Sequence, residues 1–334
     1  MPGGSATAPS SPPATRTMRA SVVAGPGRVE VEHLVVPEPG PGEVRIRLEG
    51  CGVCGSNLAL WEGRPWFQYP SPAGAPGHEG WGIVDAVGAG VFALTPGQRV
   101  AALSYRAYAE YDIADAAAVV PLPERLSNTP FPGEPLGCAI NIFRRSDISA
   151  DHTVAIIGIG FLGALLTRLA SQSGARVIAI SRRPFALDLA REMGADVTIP
   201  MEDHGEIIRQ VQDLTGGQGA DRVLEVVGTQ WPLDLAGELT RVRGRLIIAG
   251  YHQDGARQVN MQLWNWRGLD VINAHERDPA IYVEGIRGAV ETVANGILDP
   301  ARLYTHSFDL DQLDRAFEMM CQRPDGFLKA LVLT

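Results

Sequence analysis

The stretch Val154-Ala-Ile-Ile-Gly158-Ile-Gly160-Phe-Leu-Gly163 decides the architecture of the second half of the chain. An apolar run that enters Gly-x-Gly-x-x-Gly predicts a buried strand, a glycine turn and then a helix. Gly158 permits the tight bend, Gly160 lets the backbone approach a pyrophosphate, and Gly163 allows the helix to pack closely on the strand. Because a helix N-terminus offers free amides and a positive dipole end, the segment predicts a dinucleotide site. The residues assigned to it are Gly158, Gly160, Phe161, Leu162 and Gly163.

Strand-like runs alternate with helical stretches around this turn, which predicts parallel βαβ units and a doubly wound sheet. In such a sheet the cofactor lies at the carboxyl ends of the strands. We therefore expect Val227, Gly228, Ala249 and Gly250 to border the nicotinamide ring. The candidate strands are Thr153–Ile157, Arg176–Ile180, Arg222–Val227, Arg245–Ala249 and Leu269–Asn273.

The second strand of this series ends in Ser181-Arg182-Arg183, at the place where an NAD-specific site carries an acid for the ribose hydroxyls. Ser181 lies 18 residues after Gly163, and no acid is present there. A hydroxyl followed by two guanidinium groups suits a dianionic 2′-phosphate. The sequence therefore favours NADP(H) over NAD(H), with two solvated arginines at the start of a helix as the alternative.

The chain of 334 residues has 45% hydrophobic and 20% charged residues and a formal charge of −9, which is ordinary for globular domains. It has no basic face, so nucleic acid and anionic membranes are poor partners. It shows no apolar run long enough to span a membrane and no signal peptide, so we expect a cytoplasmic protein. Lys329, the one lysine, lies in an apolar C-terminal strand, and Schiff-base chemistry is not favoured.

The sequence outside the glycine-turn region divides into three further segments. Residues 1–17 are rich in Pro, Ala and Ser and predict a disordered tail. From Met18 onward, short β-rich runs separated by Pro/Gly clusters predict a small all-β module. The C-terminal piece, from about residue 280, predicts two helical stretches around a strand and ends on the strand Lys329–Thr334.

Potential metal ligands occur in three short segments. Cys51-Gly-Val-Cys54-Gly-Ser56-Asn57 is followed, 24 residues after Cys54, by His78-Glu79, and later by Glu134-Pro-Leu-Gly-Cys138. Thiolate, imidazole and carboxylate are ligands of zinc, and a catalytic zinc site has three protein ligands and an open fourth position. By spacing alone, each residue could equally be a core cysteine, a satisfied histidine or a surface glutamate.

The strings CGVCGSN, GHEGWG, EPLGC and GIGFLG, in this order, resemble the zinc-dependent medium-chain dehydrogenase/reductase (alcohol dehydrogenase) superfamily. The resemblance covers nearly all of Met18–Thr334 and implies an α/β protein with two domains. One is a GroES-like β-barrel catalytic domain, residues 18–145 and 280–334. The other is a doubly wound Rossmann cofactor-binding domain, residues 146–279, with zinc in the cleft between them.

By the same resemblance the zinc ligands are Cys54, His78 and either Cys138 or Glu134, with Glu79 as an exchanging ligand. Cys51 is usually not a ligand in such sequences. Asn57 stands where relatives have an aspartate that orients the metal-bound histidine, and its amide oxygen could still do so. No four-cysteine loop follows Gln98–Tyr105, so we expect one catalytic zinc and no structural zinc.

The resemblance also implies the chemistry. Zinc would polarise an alcohol or carbonyl oxygen while hydride passes between the substrate and NADP(H), with Cys54, Ser56, His78 and Glu79 as catalytic residues and Ser56 as the proton relay. The alternative for Ser56 is a turn serine. The competing hypotheses are a zinc-independent quinone or enone reductase of the same superfamily and a nucleotide-binding protein without turnover.

The sequence also bears on the substrate and on the assembly. Aromatic and polar residues near the expected cleft suit a polyol, sugar or cyclitol, although core or dimer packing explains them equally well. The edge of the last strand of the cofactor sheet predicts a homodimer, or a tetramer. The residues considered for substrate contact are Trp61, Trp66, Tyr251, His252, Gln253, Trp264 and Trp266.

Overall fold

The computed structural model describes residues 15–334, so residues 1–14 of the predicted tail lie outside the described residues. The first strand begins at Thr17, one residue before the expected boundary, because Thr17 pairs with Val35. Arg16 also forms an ion pair with Asp85 at 3.4 Å.

The second half of the chain forms a six-stranded parallel sheet in the order β10-β9-β8-β11-β12-β13. The neighbouring strands β8 and β9 are nearly continuous apolar runs, as expected where a sheet is covered on both faces. They are β8 (Thr153–Ile157), β9 (Arg176–Ser181), β10 (Val197–Pro200), β11 (Ala220–Glu225), β12 (Thr240–Ile248) and β13 (Asp270–Asn273). The helices of this half are α3 (Phe161–Gln172), α4 (Pro184–Glu192), α5 (His204–Leu214), α6 (Gln230–Leu239) and α7 (Met261–Arg267).

The first half and the C-terminal segment share a seven-stranded mixed sheet, and a separate hairpin precedes it. The hairpin is β1 (Thr17–Gly25) and β2 (Arg28–Val35). The sheet contains β3 (Glu43–Gly52), β4 (Gly80–Val87), β5 (Arg99–Ala102), β6 (Tyr111–Asp115), β7 (Val119–Pro121), β14 (Tyr304–Asp309) and β15 (Lys329–Leu333). The helices are α1 (Leu58–Trp61), α2 (Gly133–Ser146), α8 (Pro279–Ala294) and α9 (Leu313–Gln322).

Two features of this topology position the candidate site. The C-terminal strand β15 returns to pair with β3, so residue 329 comes close to residues 51–54 across most of the chain length. Helices α2 and α8 share one apolar core with the strand β8, through residues such as Leu136, Ile286 and Ile156.

No helix among residues 15–334 combines the length and apolar character needed to cross a bilayer.

Candidate active site

Cys54, His78 and Glu79 are brought together by two neighbouring strands. Cys54 follows β3, and His78 and Glu79 directly precede β4, which pairs with β3 so that Cys51 lies opposite Gly80. One ligand atom from each of the three side chains lies within 4.8 Å of the other two. The residues that the sequence motifs singled out therefore form one donor cluster of a thiol, an imidazole and a carboxylate.

The orientation of His78 is set by a backbone carbonyl. Nδ1 lies 2.8 Å from the carbonyl oxygen of Pro76, and because a carbonyl only accepts, Nδ1 carries the proton and Nε2 is the atom free to bind a metal. The expectation that Asn57 orients His78 was wrong. Its Nδ2 donates to the same Pro76 carbonyl at 3.3 Å, while its Oδ1 accepts from the Tyr108 hydroxyl at 2.7 Å.

The electrostatics of the cluster favour a cation. Burial lowers the pKa of His78, but the neighbouring Cys54, Glu134 and Glu79 outweigh it and raise the pKa to about 10. The His78 imidazole therefore holds a proton tightly at the place where a divalent ion would bind. The donor types are those of zinc sites, and the local negative potential attracts a cation, so the residues fit such an ion.

Glu79 is paired with Lys329, the one lysine of the chain, which no sequence motif connects with the site. Nζ of Lys329 donates to Oε1 of Glu79 at 2.7 Å and to the carbonyl of Val53 at 3.0 Å. Glu79 is 0% and Lys329 5% exposed. Oε2, 2.5 Å from the same nitrogen, accepts no hydrogen bond of acceptable geometry from any described residue. A lysine in an apolar strand is buried only when it has a partner. The position of Lys329 in such a strand was therefore the sequence signal for a buried ion pair.

Glu134 and Cys138 lie one turn apart on α2, and the Cys138 thiol donates to Oε1 of Glu134 at 3.2 Å. Burial raises the pKa of both groups, and Glu134 also raises the pKa of Cys138. Cys51 is fully buried, and its thiol donates to the carbonyl of Gly52 at 3.3 Å. Burial raises the pKa of Cys51 well above the usual value, in keeping with a packing role.

The glycine turn after β8 has the geometry of an anion cradle. Gly158 has φ 98°, and a Cβ on Gly163 would lie 2.0 Å from the Gly158 carbonyl oxygen. By contrast, apart from its chain neighbours, no residue among 15–334 has an atom within 4 Å of the position of a Cβ on Gly160, which caps the N-terminus of α3. The open space in front of these first-turn amides fits a pyrophosphate. Phe161 instead packs inward, 6.1 Å from the ring of Tyr304.

Ser181 ends β9 and is followed by Arg182 and Arg183, and the three side chains differ in their environment. Ser181 is buried and Arg182 is exposed. Nη1 of Arg183 donates to the carbonyl of Phe327 at 2.6 Å, so part of this guanidinium ties the strand to the C-terminal segment. Burial lowers the pKa of Arg183, and the positive charges of Arg323 and Arg182 lower it further. The end of β9 is thus a region of concentrated positive charge.

The loops that follow β11 and β12 lie side by side. The amides of Ala249 and Gly250 both donate to the carbonyl of Glu225, at 2.9 and 2.8 Å. The amides of Val227 and Gly228 donate to its side chain. Ser56 is half-buried in the turn between Cys54 and Asn57.

The aromatic residues considered for substrate contact have different environments. Trp61 is buried in the core with its ring centroid 5.3 Å from that of Phe317, and Trp264 packs against Gly237. Trp66 is 60% and Trp266 88% exposed. Tyr282 of α8 is a further residue that the sequence motifs did not indicate. Burial is the largest cause that raises the pKa of Tyr282, and the negative charges of Cys138 and Glu134 raise it further. The Tyr282 ring therefore lies near these two groups.

Comparison with known proteins agrees with this geometry. A family model described as "Alcohol dehydrogenase GroES-like domain" matches residues 40–124, and one described as "Zinc-binding dehydrogenase" matches residues 162–289. The chain is 27% identical to an erythritol/L-threitol dehydrogenase of Mycolicibacterium smegmatis, over 94% of this chain and 97% of the relative.

Two further comparisons extend across most of the chain. A Sinorhizobium meliloti 1021 protein, whose crystal structure is described as that of a zinc-binding dehydrogenase bound to NADP, superposes with a TM-score of 0.81 at 26% identity. That match covers 96% of this chain and all of the other. An alcohol dehydrogenase of Rhizobium meliloti is 30% identical over 70% of this chain and 77% of the relative. As its motifs predicted, the chain belongs to the oxidoreductases of the zinc-dependent medium-chain dehydrogenase/reductase (alcohol dehydrogenase) superfamily.

Proposed function

We propose that the protein is a zinc-dependent alcohol dehydrogenase or ketoreductase that transfers hydride between NADP(H) and a secondary alcohol or ketone. The observation that carries the proposal is the convergence of Cys54, His78 and Glu79 within 4.8 Å. The loop after β12 contacts the turn that follows Cys54. Nε2 of Gln253, in that loop, lies 3.4 Å from the carbonyl oxygen of Gly55. Metal donors and the carboxyl edge of the cofactor sheet therefore meet in one cleft.

Cys54 Sγ and His78 Nε2 would hold one zinc ion, with Glu134 or Cys138 of α2 as the third ligand. Glu79 is held by Lys329 and would act as an exchanging ligand. No four-cysteine segment follows β5, so the proposal includes no structural zinc.

The residues of the chain then have separate tasks. When bound, zinc supplies Lewis acidity and the dinucleotide supplies hydride exchange. The first-turn amides of α3 bind the pyrophosphate, while Val227, Gly228, Ala249 and Gly250 wall the nicotinamide half. Ser56 Oγ accepts the proton that leaves the substrate hydroxyl and passes it toward solvent.

Two observations support the finer assignments of cofactor and substrate. The positive charge at the end of β9, where Ser181, Arg182 and Arg183 stand, favours the 2′-phosphate of NADP(H). A polyol is the substrate class suggested by relatives, which include the M. smegmatis erythritol/L-threitol dehydrogenase and a human sorbitol dehydrogenase with 27% identity over 89% of this chain.

The proposal includes the division into a catalytic domain, residues 18–145 and 280–334, and a cofactor domain, residues 146–279. It also includes a homodimer formed through β13, the edge strand of the cofactor sheet. Val271 of this strand is 36% exposed, and Met261 and Trp266 of the preceding helix α7 are 52% and 88% exposed. An unpaired parallel edge with apolar residues beside it is typical of a surface that a second copy covers.

Replacing Cys54 by serine tests the catalytic proposal. We expect Cys54→Ser to fold, to bind NADPH and to lose zinc and nearly all alcohol oxidation, because a neutral hydroxyl is a poor zinc ligand. Cys321→Ser is the matched control, since Cys321 is exposed on α9, and it should retain both zinc and activity. Wild-type turnover in Cys54→Ser would exclude zinc catalysis, and metal-independent reduction of quinones would favour the reductase alternative.

A further inference from the structure

Glu225 is a fully buried carboxylate at the expected cofactor cleft for which the proposed mechanism has no task. It ends β11 at 0% exposure, and its Cα pairs with Ile157 on one side and Ile248 on the other. It therefore lies between the glycine turn and the loop after β12. A buried carboxylate is costly unless hydrogen bonds satisfy both oxygens, so its partners indicate what it holds in place.

Both oxygens of Glu225 are satisfied by loops of the cleft. Oε1 accepts from the amides of Val227 at 2.7 Å and Gly228 at 2.8 Å, which fixes the loop after β11. Oε2 lies 2.9 Å from Nε2 of His252, in the loop after β12. One side chain thus holds the two loops that are expected to wall the nicotinamide half.

The hydrogen bonds around His252 define its tautomer. Nε of Arg257 lies 2.9 Å from Nδ1 of His252, and a guanidinium nitrogen can only donate. Nδ1 must therefore accept, so Nε2 carries the proton and donates it to Glu225. Both ring nitrogens are thus engaged within the protein, so neither is free to hydrogen-bond a substrate.

Arg257 completes a closed ring of hydrogen bonds that joins Glu225, His252, Arg257 and Gly228. Its Nη2 donates to the carbonyl of Gly228 at 2.9 Å, and the amide of Gly228 donates back to Glu225. Gly228 has φ 86°, and a Cβ there would lie 2.6 Å from the carbonyl oxygen of Tyr251. The two loops are therefore in direct backbone contact as well as hydrogen-bonded through the ring.

The ring also determines where the next residue points. Gln253 follows His252, and its amide reaches the carbonyl of Gly55, between Cys54 and Ser56. We propose that the ring of Glu225, His252, Arg257 and Gly228 positions the segment Tyr251–Gln253 as the wall of the nicotinamide half, in register with the metal-binding turn. His252 is accordingly a positioning residue, and this inference rests on the proposed function.

The test compares the binding of a whole cofactor with that of its adenine half. In His252→Ala we expect NADPH to bind roughly 3- to 10-fold more weakly, the loss expected for one or two hydrogen bonds. Binding of adenosine 2′,5′-bisphosphate and the zinc content should not change. His252→Gln should restore most of the affinity, because an amide offers one donor to Glu225 and one acceptor to Arg257. His33→Ala, at an exposed position of β2, is the matched control.

Unchanged NADPH affinity in His252→Ala, or an equal loss for the bisphosphate, would overturn the proposal. If that variant fails to fold, Arg257→Gln removes the contacts of Arg257 to His252 and to Gly228 while leaving the Glu225–His252 bond. The same selective loss must then appear, and its absence contradicts the role of the ring. Wild-type protein that binds NADH rather than NADPH would refute the cofactor assignment alone, and the ring would then be tested with NADH and AMP.

Discussion

Lys329 places a single positive charge in the wall of the candidate metal site. Its ammonium group is buried against Glu79, and its Nζ lies 5.1 Å from the centre of the Phe161 ring at the start of α3. It therefore contacts both the metal cluster and the glycine turn. A charge buried in this way is stable only while its partner remains ionised, so the two residues act as one unit.

Replacing Lys329 alone should be far more damaging than replacing the pair. In metal-free protein, Lys329→Met leaves Glu79 buried without its counter-ion and should lower the free energy of unfolding by about 3–5 kcal/mol. The double variant Glu79→Gln, Lys329→Met carries no buried charge and should recover most of that loss. Urea denaturation measures both changes. A Lys329→Met variant as stable as the wild type would contradict the pairing.

The cofactor preference should depend on Arg182. This exposed guanidinium is available to a 2′-phosphate, and loss of a charge-assisted hydrogen bond corresponds to a roughly tenfold to hundredfold weaker affinity. Arg182→Ala should therefore weaken NADP⁺ binding by that factor and leave NAD⁺ binding unchanged, as titration calorimetry can measure. Arg191→Ala, on the exposed face of α4, serves as control. Equal affinity of the wild type for NAD⁺ and NADP⁺ would refute the assignment.

Residues whose role follows from local pattern could be predicted, whereas those with distant partners could not. Cys54 and His78 come together because each flanks one of two adjacent strands. The partner of Lys329 is 250 residues away in sequence, and the carbonyl that holds Arg183 is 144 residues away. No periodicity or motif carries such information. Asn57 shows the same limit, since the Pro76 carbonyl took the orienting role expected of its amide.

At the scale of elements, the glycine turn and the parallel strands were predictable because their physical requirements are local. The predicted strand Thr153–Ile157 matches β8, and the predicted helix begins at Phe161, within the glycine motif itself. The first turn of α3 contains Gly163, a poor helix former, which is retained because its Cα lies against the Gly158 carbonyl. Tertiary contact thus outweighed propensity there.

The edge strand β13 should determine the oligomeric state. Val271→Lys places a charge on the edge where a second copy is expected to pair, so it should convert the dimer to a monomer. Light scattering coupled to size-exclusion chromatography measures the mass. Phe92→Lys, which removes an aromatic ring that is 94% exposed in the other half, should remain a dimer. A wild-type monomer, or a Val271→Lys dimer, would argue against this interface.

At the scale of the whole molecule, the site is assembled from segments that are far apart in sequence. The donor cluster comes from the segments next to β3 and β4, the lysine that pairs with it from the last strand, and a further acid and thiol from α2. The cofactor edge reaches it through the loops after β11 and β12. The fold class and the family were accessible from four short motifs, because these motifs mark the points where the segments meet.

The metal content of the purified protein tests the central claim most directly. Elemental analysis should find about one zinc per chain, and removal of that zinc by a chelator should abolish alcohol oxidation while NADPH still binds. Restoring zinc should restore turnover. A protein that oxidises alcohols at its full rate without any bound metal would contradict the account.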